Sequence, residues 1–244
     1  MRQDDDDRQN GMTGNLEAAR ILREYERREE AVPAGFYDLD KPANKLAHCQ
    51  IERRALELLE RSGFLPLEGR KIADIGCGTG NWLLEFIQWG AKPGDLFGID
   101  LISGRIEQAR RRIPLARIET GDASSLPLDD SSVDIACQFT AFSSVLDDGM
   151  KQAMATEMLR VTRPGGAILW YDLHFNNPSN SAVRPVGLKE LSVLFPGCLF
   201  DVERVTLAPP LARAIAPRSW VLASALERIP FLCSHYLVLI RKHA

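Results

Sequence analysis

The stretch Ala73-Asp74-Ile75-Gly76-Cys77-Gly78-Thr79-Gly80 restricts this chain more than any other. An apolar run, Lys71 to Ile75, enters it, and a segment of helical pattern, Asn81 to Trp89, leaves it. Glycine at every second position allows the tight positive-φ turn such a junction needs and lets a ligand lie close on the backbone. A strand that passes into a helix in this way is half of a strand–helix–strand unit, which calls for a parallel sheet.

The alternation continues downstream. Leu96–Asp100, Ala116–Thr120, Val133–Thr140 and Ala167–Asp172 read as strands, with helices over Ser103–Arg112 and Asp148–Val161 and a Pro-Gly-Gly turn at Arg163–Gly166. Later come a helix over Leu188–Leu194, a strand over Phe200–Ala208, a helix over Ser219–Glu227 and a strand over Ser234–Arg241. The two late strands suit an antiparallel closure of the sheet edge. Upstream, Leu16–Glu30 and Asn44–Arg61 have helical periodicity around a break at Pro33–Pro42. Asp4 to Asp7 and two glycines give residues 1–15 the composition of a disordered acidic tail. The expected organisation is therefore a tail (1–15), a helical segment or lid (16–69) and one α/β domain (70–244). The lid would present Tyr25, Phe36 and Tyr37.

Composition narrows the partners. A net charge of −3 gives no general attraction to nucleic acid or anionic membrane. The five cysteines are widely spaced and lack a Cys-x-x-Cys, and the histidines form no ligand-spaced set with them, so neither a disulfide framework nor a metal site is expected. No secretory leader and no apolar run of membrane-spanning length stand out, which makes a cytoplasmic location the expectation.

Three acids accompany the glycines. Asp74 ends an apolar strand, where a carboxylate must find hydrogen bonds or a cation; ordering the glycine-loop amides is one use. Asp100 ends the second strand, where a carboxylate can accept ribose hydroxyls. Asp122 follows the third strand, within reach of an adenine amino group. Asp74-x-Gly-Cys-Gly-Thr-Gly, Gly98-Ile99-Asp100, Gly121-Asp122-Ala123 and Leu159-Arg160-Val161-x-Arg163-Pro164-Gly165-Gly166 occur in that order. Together they resemble the class I S-adenosylmethionine-dependent methyltransferases over about residues 70–172. The resemblance implies a Rossmann-like seven-stranded, mostly parallel sheet with helices on both faces and an antiparallel C-terminal strand. It also implies S-adenosyl-L-methionine as cofactor and S-adenosyl-L-homocysteine as product. Asp74, Gly76, Cys77, Gly78 and Gly80 would then hold the methionine part, and Asp100 the ribose. Leu101 would pack on the adenine, Asp122 and Ala123 would bind its edge, and Gln138 and Phe139 would lie near the sulfonium.

For the acceptor, the end of the fifth strand is dense in polar and aromatic groups. His174 is the candidate general base, with Asp172 and Tyr171 beside it, since imidazole titrates near neutrality. Asn176 and Asn177 precede Pro178 and suit a turn. Arg184 and Arg213 would suit an anionic acceptor, whereas Arg110–Arg112 complement a helix dipole. A small-molecule acceptor is expected, with sugars, glycan-linked compounds and natural products as candidate classes, the first two from a looser similarity to methyltransferases found with glycan-biosynthesis genes. The acceptor signature of amino-group DNA methylases is missing. A nicotinamide-dependent oxidoreductase is the alternative, but Asn81 leaves Gly-x-Gly-x-x-Gly incomplete. A non-catalytic S-adenosylmethionine-binding subunit is a third reading.

Overall fold

Strand β1 (Ile72–Ile75) is buried at all four positions, as a central parallel strand covered on both faces must be. The computed structural model describes residues 2–33, 35–176 and 180–242. β1 lies between β2 (Leu96–Asp100) and β4 (Val133–Phe139), in a seven-stranded sheet of order β3-β2-β1-β4-β5-β7-β6. The remaining strands are β3 (Arg117–Thr120), β5 (Thr162–Leu173), β6 (Leu199–Leu207) and β7 (Cys233–Arg241). β1 to β5 are parallel neighbours, and β7 runs antiparallel to both β5 and β6. The strand order reverses direction at β1/β4, so the crevice beyond the carboxyl ends of these strands is where such a sheet takes a ligand.

Helices α1 (Arg2–Ala31), α2 (Pro42–Arg61), α3 (Asn81–Gln88), α4 (Ser103–Arg112) and α5 (Asp148–Val161) alternate with the first strands, and α6 (Leu188–Leu194), α7 (Pro209–Ile215) and α8 (Trp220–Leu226) come later. Two apolar layers enclose the sheet. Leu58 and Leu59 of α2, Leu83 and Phe86 of α3 and Ile106 of α4 pack on one face. Met154 and Met158 of α5, Leu191 of α6 and Ile21 of α1 pack on the other.

Two differences from the sequence reading stand out. α1 is assigned from Arg2, where residues 1–15 read as a disordered tail. α7 was not among the expected helices; it opens on Pro209-Pro210, and proline is accommodated in a first helical turn. Asn177 and Pro178 lie outside the described residues. Among those described, no helix is long and apolar enough to cross a membrane.

The Leu159–Gly166 motif works on the sheet rather than on a ligand. Arg160 donates to the carbonyls of Leu126 and Leu128 and pairs with Asp130 and Glu157. Glu157 in turn accepts from the Leu126 amide at 2.6 Å. This cage fixes the loop after Asp122. At the turn itself, a Cβ on Gly166 would stand 2.8 Å from the Asp134 carbonyl, so only glycine fits there.

Candidate cofactor site

The glycine turn is built by backbone geometry first. Gly76, Gly78 and Gly80 all take positive φ, at 77°, 54° and 79°. The amides of Gly76 and Cys77 both donate to the Ile99 carbonyl, at 2.8 and 3.0 Å. Asp100 completes the join between β1 and β2: one carboxylate oxygen accepts from the Gly78 amide at 3.0 Å, the other from the Ile102 amide at 2.9 Å. A carboxylate offers about four acceptor positions, so Asp100 can hold both turns and still bind two hydroxyls. Arg112 grips the same loop from α4, donating to the Thr79 carbonyl and the Asn81 side chain. The sequence reading gave the basic run only to the helix dipole.

It is Asp100, not Asp74, that orders the loop amides. Asp74 lies beneath the turn, 1% exposed. Among the described residues, its Oδ1 has only the Cys137 thiol as donor, at 3.7 Å, and its Oδ2 has no partner. Burial, with the Asp100 charge adding to it, pushes the Asp74 carboxyl up to about 7. Its folded-state value lies above the usual carboxylate range, so the stability it contributes is full below about pH 4 and is lost as pH rises through about 7. Replacing it by Asn removes that loss. The melting temperature of Asp74→Asn minus that of the parent is expected to grow between pH 4 and pH 8, by an amount equivalent to a few kcal/mol. Asp172, pushed up to about 6 chiefly by burial, is common to both proteins and cancels. A difference independent of pH would assign the titration elsewhere.

Above the turn lies a cavity of about 190 Å³. Gly76, Asp100, Leu101, Ala123 and Phe139 line it, and so do Ile102, Arg105, Thr140, Ser144 and Met150. Ile21 and Tyr25 of α1 close it from above. α1 is held there by polar contacts to the segment after β4. Glu17 accepts from the Leu146 amide at 2.5 Å, and Arg20 donates to the Ser144 carbonyl at 2.6 Å. The Arg105 guanidinium covers the Tyr25 ring at 4.3 Å. Tyr25 therefore lines the cavity from α1, whereas Phe36 packs against Tyr37 and under Arg213. Ile21 and Arg105 were missed. Their only sequence signal is position, since a helix stripe and a surface arginine are both commonplace.

The other expected residues have different surroundings. Cys77, Gly78 and Gly80 shape the turn without lining the cavity, and burial raises the Cys77 thiol, which keeps it protonated. Asp122 turns back to accept from the Ser124 amide at 2.8 Å, while its neighbours Gly121 and Ala123 face the cavity. Gln138 is fully buried; it donates to the Tyr171 carbonyl and accepts from the Ala141 amide. Tyr171 is bonded to Thr206 at 2.9 Å and stacks on His235. Asp172 accepts from the amides of Ser143 and Leu173. His174 stacks on Tyr236, with Nε2 3.1 Å from the Cys233 carbonyl. None of the last three lines the cavity, and Arg184 is engaged with Asp148 and Glu190.

A family profile described as "Methyltransferase domain" matches residues 72–166, the span that holds the glycine turn, Asp100 and the Pro-Gly-Gly turn. Residues 72–166 therefore carry a methyltransferase domain. The methyltransferase domain has curated relatives of several kinds. The chain is 32% identical over 148 residues to a malonyl-[acyl-carrier protein] O-methyltransferase of Yersinia pestis, covering 59% of this chain and 51% of that protein. It is 29% identical over 165 residues to a demethylmenaquinone methyltransferase of Renibacterium salmoninarum, covering 66% and 65%. The chain thus spans half to two thirds of these relatives' length. A solved Thermotoga maritima S-adenosylmethionine-dependent methyltransferase, described as a possible histamine N-methyltransferase, superposes with a TM-score of 0.57 at 19% identity, covering 91% of this chain and 97% of that one. At that identity the likeness shows the fold.

The residues present fit the cofactor of this family. A Cβ on Gly76 would fall 2.9 Å from Ala141 and narrow the cavity floor. Asp100 keeps free acceptor positions at the edge, and Leu101, Ile102 and Ala123 supply apolar wall for a flat base.

Proposed function

We propose that this chain transfers the methyl group of S-adenosylmethionine to a small-molecule acceptor. The observation that carries the reading is Asp100, presented at the carboxyl edge of β2 beside a glycine turn and beneath a lid. Asp100 would hold the ribose hydroxyls, Leu101 and Ala123 the adenine, and the turn at Gly76 the methionine part. When bound, the cofactor supplies an electrophilic methyl carbon and a good leaving group. The protein's share is alignment and the exclusion of water. Tyr25 and Ile21 cover the site, and Phe139, stacked on Trp82 at 3.9 Å, forms a rigid wall. Among the described lining residues, the titratable ones are Asp100, Tyr25 and Arg105.

His174 is the candidate base on the acceptor side. A carbonyl only accepts, so its Nε2 carries the proton that bonds to Cys233, and Nδ1 is left to receive one. Burial lowers its pKa, which keeps the ring neutral at pH 7. Asp172 is held by the amides of Ser143 and Leu173 and does not reach the His174 ring. The relatives' names span acyl-carrier-bound, quinone and lipid acceptors, so sugars and natural products are candidate classes to screen alongside them.

Isothermal titration with S-adenosylmethionine, S-adenosylhomocysteine and NAD tests the reading. Binding of the first two without the third is expected. Binding of NAD alone would favour the oxidoreductase reading, and silence toward all three would remove the cofactor assignment.

A further inference from the structure

Outside the cavity, α2 and α3 bring three ligand-bearing side chains together. His48 and Glu52 are four residues apart on α2 and so share one face. Glu85 projects from α3. One ligand atom from each of the three lies within 4.8 Å of the others, and His48 Nε2 is 3.0 Å from Glu85 Oε1. His48 and Glu85 are largely shielded, at 20% and 13% side-chain exposure. The His48 ring plane is set by stacking on Trp82 at 5.4 Å.

A histidine–glutamate hydrogen bond alone would explain two of these groups. It does not explain Glu52, a second carboxylate turned toward the first. Among the described residues, no lysine or arginine pairs with either acid, and the one ion-pair contact they make is that of Glu85 with His48. Two carboxylates therefore face one imidazole with no described lysine or arginine paired to them. One divalent ion would balance both carboxylates and take the place of the His48–Glu85 hydrogen bond. Metal–ligand bonds of about 2.0–2.2 Å place adjacent ligand atoms of one ion about 3–3.5 Å apart, a contraction that side-chain rotation supplies from the present spacing.

We propose that His48, Glu52 and Glu85 bind a divalent transition-metal ion that clips α2 to α3. One imidazole and two carboxylates form a donor set for ions of the zinc, cobalt or manganese type, with water completing the shell. The sequence reading looked for histidine among the cysteines and missed this set. The ion would stiffen α3, which follows Gly80, and, through Trp82 and Phe139, one wall of the cavity.

The test uses metal-stripped full-length protein, titrated with Zn²⁺ by calorimetry and with Co²⁺ by visible absorption, alongside His48→Ala, Glu52→Gln and Glu85→Gln. One saturable site per chain is expected, with affinity reduced about tenfold or more in each variant and a Zn²⁺-dependent rise in melting temperature in the parent only. Glu52 is half-buried and outside the apolar core, so its substitution is expected to leave folding intact, which circular dichroism verifies. No saturable binding, or equal affinity in parent and variants, overturns the proposal.

Discussion

Asp100→Ala is expected to weaken S-adenosylmethionine binding by about a hundredfold or more. Two charge-assisted contacts to the Gly78 and Ile102 amides disappear with the carboxylate, and hydrogen bonds to charged groups contribute about 1.5–3 kcal/mol each. The amides then lose the partner that holds the two turns in register, and the ribose loses its acceptor. At about 1.4 kcal/mol per tenfold, losing even the ligand contacts alone reaches that magnitude. Asp100→Asn keeps one carbonyl oxygen and is expected to fall between the two. Calorimetric titration of all three proteins, with circular dichroism as a check on folding, reads the effect. An affinity within about threefold of the parent for Asp100→Ala would take Asp100 out of the site.

The second large effect concerns Gly76. Its φ of +77° lies in the left-handed region, which costs a residue with a Cβ about 1–2 kcal/mol. The added carbon would meet the Ala141 Cβ at 2.9 Å, and forced overpacking costs about 1–3 kcal/mol more. Gly76→Ala is therefore expected to destabilise the fold by roughly 2–5 kcal/mol. The two causes can be separated. Ala141→Gly relieves the collision but not the backbone strain, so the double variant is expected to recover only the crowding part. Urea unfolding of the four proteins in a double-mutant cycle measures this coupling. Strict additivity would mean that Ala141 yields by moving, and that the turn is looser than the geometry implies.

These arguments show which parts of the molecule were legible from residues in order. The βα alternation, the seven-stranded sheet with its antiparallel last strand and the place of Asp100 at the end of β2 follow from local patterns: buried runs, glycines at fixed spacing, an acid at a strand end. The roles of Asp74, Gln138 and Asp122 did not, because a polar residue at a strand end can face the ligand or the protein, and only packing decides. Gln138 satisfies the backbone at Tyr171 and Ala141. Asp122 caps its own turn. Likewise Arg112 and Arg160, which order the glycine loop and the loop after Asp122, act on carbonyls more than thirty residues away in sequence, 33 for Arg112 and 34 for Arg160 to Leu126, and periodicity carries no trace of such pairings. The set His48, Glu52 and Glu85 joins two helices whose facing could not be read before the sheet was assembled.

The anchoring of α1 has a kinetic meaning. Ile21 and Tyr25 close the cavity, while Glu17 and Arg20 fasten the helix to the backbone at Leu146 and Ser144. A ligand that leaves past Tyr25 must wait for those fastenings to open, and so must its replacement. For a ligand that takes this route, loosening the latch is expected to shorten its occupancy of the site without altering any residue on the cavity floor.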